Sequence, residues 1–366
     1  MSIHLDARKK IAYPGSWFTG VIQPRPKPGE VFDVKTFTVT LVGVCKTRVV
    51  IPNGVDEDIY ESSETFLEIQ KPVLQTRLLI SLGTILPSTL RFPHDSASDY
   101  VDPFDALLGP DLKRETRKQS LPPSGYFGTG STITYSFDVL LIDEISHERF
   151  TASKSIEFSR TREVAVPDPQ IITTVQEKIL AGQDRIAKQS CLKLALNSPQ
   201  VLIPKQKFPL MLRHIVDNVD TEGSSTPTVL LRSSIVQLVE KTVIRSDNNL
   251  ENQSTELYEI ASRKYLSADS KSGAPWITSQ GLDLGAFLRN PSLSHNYAPT
   301  FECALTQLTY CLNVLLEVES GEEKIEFAFE LDPVRVLPSE TTDQVRKREE
   351  EEAWNDPGDL PPSRWG

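Results

Sequence analysis

Long apolar runs are missing from this sequence, and that absence sets the first bounds. No stretch approaches the roughly 18 consecutive apolar residues of a membrane-spanning helix, so none is expected. The opening MSIHLDARKK has charges with no apolar run behind them, unlike a secretory signal. Residue 2 is Ser, and the chain ends SRWG, so neither a myristoyl nor a prenyl anchor is expected. Cysteine is scarce: Cys45, Cys191, Cys303 and Cys311 in 366 residues. Cys303 and Cys311 fall in one expected strand, about 27 Å apart at about 3.3 Å per residue, too far for a disulfide. The expectation is four reduced cysteines in a cytoplasmic protein, where the sequon Asn252-Gln253-Ser254 is accidental. There is no Cys-x-x-Cys, and the histidines (His4, His94, His147, His214, His295) show no pair at ligand spacing, so no metal or cofactor is expected. Positive charge is in deficit. A net charge of −11 argues against nucleic acid as the main partner, which needs a cationic face.

What is present describes a β protein. Pro (26) outnumbers Gly (18), which limits helices and suits a chain of strands and turns. Hydrophobic residues make up 39%, enough to build cores. The length suits two domains of roughly 150 residues each. Trp17–Ile22 reads as a strand, with a turn over Pro24–Glu30. Phe37, Val39 and Leu41 then alternate with Thr36, Thr38 and Thr40, the period of a half-buried strand. Residues 52–64 are acidic and read as a solvated loop, Leu74–Leu82 as a strand, and 94–120 as a mobile insertion. Lys154–Phe158 closes the first lobe. In 167–190, the spacing of Ile172, Val175, Ile179 and Leu180 predicts a short amphipathic helix. Beyond it, strands are expected at Leu192–Leu196, Phe208–Ile215, Val229–Val243, Ala304–Val318 and Ile325–Leu331, with loops at 217–227, 246–256 and 267–280. After Pro338 the chain turns acid-rich, with the run Arg346-Lys347-Arg348-Glu349-Glu350-Glu351-Glu352, a solvated helix turn or flexible tail.

One passage occurs twice. Ile-Thr-Tyr-Ser-Phe-Asp-Val-Leu-Leu at 133–141 matches Leu-Thr-Tyr-Cys-Leu-Asn-Val-Leu-Leu at 308–316, and Ile156-Glu157-Phe158 matches Ile325-Glu326-Phe327 in the same order. The period is too long for a solenoid repeat, so it marks a duplicated domain. Ile133, Tyr135, Phe137 and Val139 share a face, as do Leu308, Tyr310, Leu312 and Val314. Faces this apolar belong inside a sandwich, with the tyrosine hydroxyls directed to backbone partners. The expected fold is all-β, two tandem immunoglobulin-like β-sandwich lobes with a short helix in the connection. The expected boundaries are 1–166, a helical connection over 167–190, 191–338, and an acidic flexible tail over 339–366.

These residues resemble the arrestin family in its fungal-type α-arrestin form. Tyr13-Pro14-Gly15 through Gly20-Val21-Ile22 looks like the opening of the arrestin N-domain. Val34–Lys46 with Leu41-Val42-Gly43 looks like its long strand, and Leu121-Pro122-Pro123-Ser124 followed by Gly130-Ser131-Thr132-Ile133-Thr134-Tyr135 like a later passage. Ala298-Pro299-Thr300-Phe301 before Leu308-Thr309-Tyr310 resembles the C-domain. The resemblance covers roughly 10–338. It implies a non-catalytic adaptor that binds cytoplasmic tails of membrane proteins and links them to endocytosis, ubiquitin-dependent sorting or signalling, recruited from the cytoplasm to the plasma membrane or endosomes. A trafficking-coat or retrieval-complex subunit of the same fold is the alternative.

No catalytic site stands out. Gly128-Thr129-Gly130-Ser131 lacks the Lys and helix of a phosphate loop and reads as a turn. His94-Asp95-Ser96 gathers triad residue types in sequence, whereas triads are assembled from distant positions. Candidate binding residues are the cations Arg8, Lys9, Lys10, Arg25, Lys27, Lys35, Lys46 and Arg48. They are locally basic against Asp6, Glu30 and Asp33, and suit acidic or phosphorylated tails, anionic lipid, or this chain's own residues 339–366. In the tail, Pro361, Pro362 and Trp365 form a degenerate ligand for a WW-domain ubiquitin ligase, since Arg364 stands where the Pro-Pro-x-Tyr motif has Tyr.

Overall fold

The computed structural model describes residues 2–7, 11–14, 17–53, 56–72, 78–80, 86–91, 121–161, 171–180, 191–215, 229–248, 250–264, 275–294, 297–321 and 323–355. The first part of the chain forms β1 (Ser2–Ala7), β2 (Ile11–Ala12), β3 (Trp17–Arg25), β4 (Phe32–Asn53), β5 (Asp56–Pro72), β6 (Leu78–Ile80), β7 (Leu86–Arg91), β8 (Gly125–Phe127), β9 (Ser131–Asp143) and β10 (Arg149–Phe158). The second forms β11 (Ile171–Ile179), β12 (Cys191–Pro199), β13 (Val201–Leu202), β14 (Met211–Ile215), β15 (Val229–Arg245), β16 (Glu251–Lys264), β17 (Trp276–Ile277), β18 (Leu282–Asp283), β19 (Phe301–Glu302), β20 (Thr306–Ser320) and β21 (Glu323–Val336). Two helices complete the described chain, α1 (Leu284–Phe287) and α2 (Thr342–Asn355).

Sheet pairing follows the repeat. One large sheet runs β2-β10-β9-β4-β5 and the other β13-β21-β20-β15-β16. β6 and β17 attach to β4 and β15, and β8 and β19 to β9 and β20. In each, the first pair is parallel and the central pairs are antiparallel. Each is accompanied by a small sheet, β1-β3-β7 in the first half and β11-β12-β14-β18 in the second. Among the described residues, the sheets of 2–158 and those of 171–336 share no strand. The architecture is nearly all β, with multiple sheets consistent with a β-sandwich.

The alternating faces of β9 and β20 go inward. Ile133, Tyr135, Phe137 and Val139 are buried, as are Leu308, Tyr310, Leu312 and Val314. Each tyrosine hydroxyl donates to a backbone carbonyl, Tyr135 to Pro122 at 2.7 Å and Tyr310 to Ala298 at 2.8 Å. The equivalence extends further. Ser124 N–H donates to Phe158 O while Phe158 N–H donates to Ser124 Oγ. Thr300 and Val336 exchange the same two bonds.

Three expectations are corrected. Residues 171–179 form β11, not a helix, so the short helices lie elsewhere. Ile171, Thr173, Val175, Glu177 and Ile179 all fall on one exposed face, the period-two arrangement of a strand. The helical spacing of Ile172, Val175, Ile179 and Leu180 is a coincidence of four apolar residues, and β-branching at three of them favours the strand. Residues 162–170 and 181–190 lie outside the described residues. The acidic 52–64 stretch and 246–256 largely belong to β5 and β16, the outer strands of the two large sheets. Charge on an edge strand is ordinary, and it hid both from a reading by apolar alternation. The tail is helical over 342–355. Thr341 Oγ1 accepts from Gln344 N–H and Gln344 Oε1 accepts from Thr341 N–H, a reciprocal capping box. The insertion expected at 94–120 lies outside the described residues from 94 to 120.

Tyr135→Phe and Tyr310→Phe each leave a buried carbonyl without its donor. Each should cost about 1–2 kcal/mol in urea unfolding with an unchanged m-value. Tyr310→Phe also removes the contact of that hydroxyl with Glu240 Oε2 at 3.2 Å.

Candidate functional site

The two halves touch, and polar side chains line the meeting place. β4 and β9 bring Cys45, Thr47 and Ser131 to it, β5 brings Ser62 and Glu64, and the second half brings Arg245, Asp247, Cys303 and Thr306. Ser131 and Thr306 hydroxyls are 2.5 Å apart. Cys45 Sγ lies 3.4 Å from Thr306 Oγ1 and 3.8 Å from Cys303 Sγ. Thr47 Oγ1 donates to Arg245 O at 2.8 Å, Asp247 N–H to Ser62 Oγ at 2.9 Å, and Arg160 to Thr300 O at 2.9 Å. Phe127 and Phe301 meet edge to face at 4.8 Å between centroids, and one cluster of buried apolar residues runs through both halves.

The glycine-rich turn before β9 fits this place. Gly128 has φ +54°, and a Cβ there would lie 2.7 Å from Ser254 Oγ of β16. A Cβ on Gly130 would lie 2.3 Å from Arg48 O, so this close approach excludes any side chain. The turn read in the sequence is present: Gly128 lets it approach β15 and β16 of the second half, and Gly130 lets it pack on β4 of its own half.

The junction also holds charge. Burial, and then the charge of Asp247, push the Glu64 carboxyl above the usual range. Its Oε2 is buried with no hydrogen-bond partner among the described residues. Cys303, donating toward Cys45, draws the Cys45 thiol below its ordinary value, with burial opposing; the same contact and burial push Cys303 up.

Among the described residues, the basic side chains named from sequence are spread along β3, β4 and the turn between them. Arg8, Lys9 and Lys10 lie outside the described residues. Arg25, Lys27, Lys35, Lys46 and Arg48 are exposed. Lys35 lies near the start of β4 and Lys46 eleven residues further along it, about 36 Å apart on an extended strand. Lys35 pairs with Glu144 at 3.2 Å, and Arg48 stands opposite Glu61 in the ladder. Pro361, Pro362 and Trp365 lie outside the described residues. The tail does reach the N-terminal half, but through a cation. Arg348 donates to Tyr13 Oη at 2.7 Å, stacks 5.8 Å from its ring centroid, and pairs with Glu340.

One group of side chains has donor atoms suited to a metal. Cys311, Glu330 and Asp332 place theirs within 4.8 Å of one another. Lys241 Nζ bonds Asp332 at 2.6 Å and Glu330 at 3.5 Å, so an ammonium already supplies the cation. Burial first, then Glu330, pushes Cys311 up to about 12, which disfavours the thiolate a metal needs. Pairing of β20 with β21 brings these groups together, so no local spacing could announce them. His94, Asp95 and Ser96 lie outside the described residues, and His214 is buried, which pushes its imidazole pKa down. No helix of the described residues is long and apolar enough to cross a membrane. No protein-family model matches the chain, and no curated protein matches it.

Two predictions follow from these contacts. A carboxyl whose folded pKa is raised lends stability below its unfolded value and loses it as pH climbs through the raised one. Glu64→Gln should therefore gain Tm relative to the native chain as pH rises from about 4 to about 7, with the difference smallest at the acid end in thermal melts. For the tail, Arg348→Ala should speed amide hydrogen exchange at residues 11–14 while leaving β20 unchanged.

Proposed function

We propose that the chain is a non-catalytic, arrestin-like adaptor that binds cytoplasmic segments of membrane proteins and links them to endocytosis, ubiquitin-dependent sorting or signalling. The observation that carries this reading is the repetition of one strand order on both sides of a buried junction. Such a frame leaves strand edges, inter-strand loops and exposed cations for recognition, and extended peptides bind sheet edges through main-chain hydrogen bonds. Arg25 and Lys27 at the end of β3 are exposed and suit acidic or phosphorylated tails or an anionic membrane surface. Pro361, Pro362 and Trp365 are the proposed contact for a WW-domain ligase.

The second reading, a coat or retrieval-complex subunit, is favoured by one feature. Ile171, Val175 and Ile179 are 57%, 51% and 67% exposed on β11, an outer strand of its sheet. A subunit would bury that row in a stable interface of roughly 1,200 Å² or more.

Proximity labelling in cells, with the full chain and with 339–366 deleted, tests the proposal. The adaptor reading expects membrane proteins and trafficking factors with both, and ligase components with the full chain only. A partner set free of membrane proteins and trafficking factors would overturn it. Stoichiometric partners that survive a high-salt wash, and are lost in Ile171→Lys/Val175→Lys, would favour the coat reading.

A further inference from the structure

We propose that Cys45 and Cys303 form a disulfide that bolts the two halves together when the chain meets a small-molecule disulfide such as oxidised glutathione. All four cysteines are unbonded in this structure. Only two of them are brought into mutual contact, and they come from opposite sides of the junction. Their sulfurs are 3.8 Å apart across 258 residues of sequence. A disulfide needs about 2.05 Å, so each sulfur has to move by about 1 Å, within reach of small side-chain rotations.

Both partners are anchored. Cys45 lies in the middle of the β4 ladder, opposite Glu64 on β5 and Ile133 on β9. Cys303 lies in the turn between β19 and β20, where its N–H donates to Thr306 O at 2.8 Å. The other two thiols face other groups: Cys191 bonds Glu177 at 2.7 Å, and Cys311 faces Asn313 and Glu330. Cys45 is the attacking thiol of the pair. In the closed junction the Cys303 thiol, and then the Thr306 and Ser131 hydroxyls, draw its pKa down against burial; Ser131 belongs to the same half, stays beside Cys45 when the junction opens, and favours the thiolate, the nucleophilic form.

The exchange balances as two steps. Cys45 thiolate attacks one sulfur of the oxidant, forming a mixed disulfide and expelling one glutathione thiolate. Cys303 then gives up its proton to solvent and attacks the Cys45 sulfur, expelling the second glutathione. Two electrons pass to the oxidant, which leaves as two reduced thiols. Both cysteines are buried at 0% and 6% exposure, so the first step proceeds when the junction opens and the second when it closes. The bond therefore records an opening and prevents the next one.

The test uses the full-length chain, reduced and then incubated with oxidised glutathione, quenched by alkylation. After alkylation of the unfolded chain, the oxidised protein should carry two alkyl groups where the reduced protein carries four, and peptide mapping should link Cys45 to Cys303. Oxidised protein should melt at higher temperature, and reductant should reverse the shift. Cys303→Ser should abolish the linkage and the shift, whereas Cys191→Ser should change neither. Mapping on the native chain decides the matter even if a variant folds poorly. A stable glutathione adduct without the cross-link, a linkage to Cys191 or Cys311, or no modification after prolonged incubation would each overturn the proposal.

Discussion

A tyrosine ring sealed inside a sheet carries its hydroxyl with it, and an unmet hydroxyl costs about 1–3 kcal/mol. Tyr135 and Tyr310 are both in that position, and both meet a carbonyl some dozen residues upstream. The acceptors fit the need. Residues 121–124 and 298–300 are proline-containing, and Pro122, Pro123 and Pro299 have no N–H to place in a ladder. These segments can offer carbonyls but few donors, and the tyrosines supply the donor. Ser124 and Thr300 then tie the same segments to Phe158 and Val336 at the ends of β10 and β21. One hydroxyl thus fixes where the chain enters the central strand, and through it where the neighbouring strand ends.

The junction between the halves is built on a different principle. Most of its hydrogen bonds join neutral hydroxyls, thiols and backbone groups, each contributing about 0.5–1.5 kcal/mol net, and the Arg160 guanidinium adds one to Thr300 O. The edge-to-face pair Phe127–Phe301 adds about 0.5–1.5 kcal/mol beyond its buried area. Against these stands Glu64, half-buried beside Asp247 with an oxygen left unbonded. Each half has its own closed network of tyrosine and hydroxyl contacts. One cluster of buried apolar residues nevertheless runs through both halves, so the seam is part of a continuous core.

Much of the fold was legible because the central strands are buried on one face and alternate strictly. The 133–141 and 308–316 copies announced β9 and β20, their inward faces, and the duplicated order of elements around them. The outer strands β5 and β16 were not legible. An edge strand needs no apolar alternation, and Asp56, Glu57 and Asp58 look the same in a ladder as in a loop. The charge run behind Pro338 left a helix turn and a flexible tail both open, and the capping box in Thr341-Thr342-Asp343-Gln344 was the local signal that favours the helix. The junction was beyond reach: Cys45 and Cys303, or Ser131 and Thr306, are joined only by three-dimensional assembly. Gly128, pressed against Ser254 and Thr242, was its local trace.

The duplication is imperfect in one place. By chain order, β12, β13 and β14 correspond to β1, β2 and β3, so β11 is an addition with no counterpart among the described residues of the first half. Gln176 ties its inner face to Ala328 of β21, and Lys193 pairs with Glu177 across to β12. What it adds outward is Ile171, Val175 and Ile179. Proteins usually blunt a sheet edge with charge or proline, and here the outward apolar row is interrupted only by Thr173 and Glu177. Duplication alone would leave two similar surfaces. The added strand makes the second half distinct from the first, and it is at this edge that an adaptor with transient partners and a subunit with permanent ones must differ. A transient partner has to release the row to water and suffers little, because three separated side chains are a small patch. A permanent partner gains from the same row only by covering the strand edge along its whole length, main chain included.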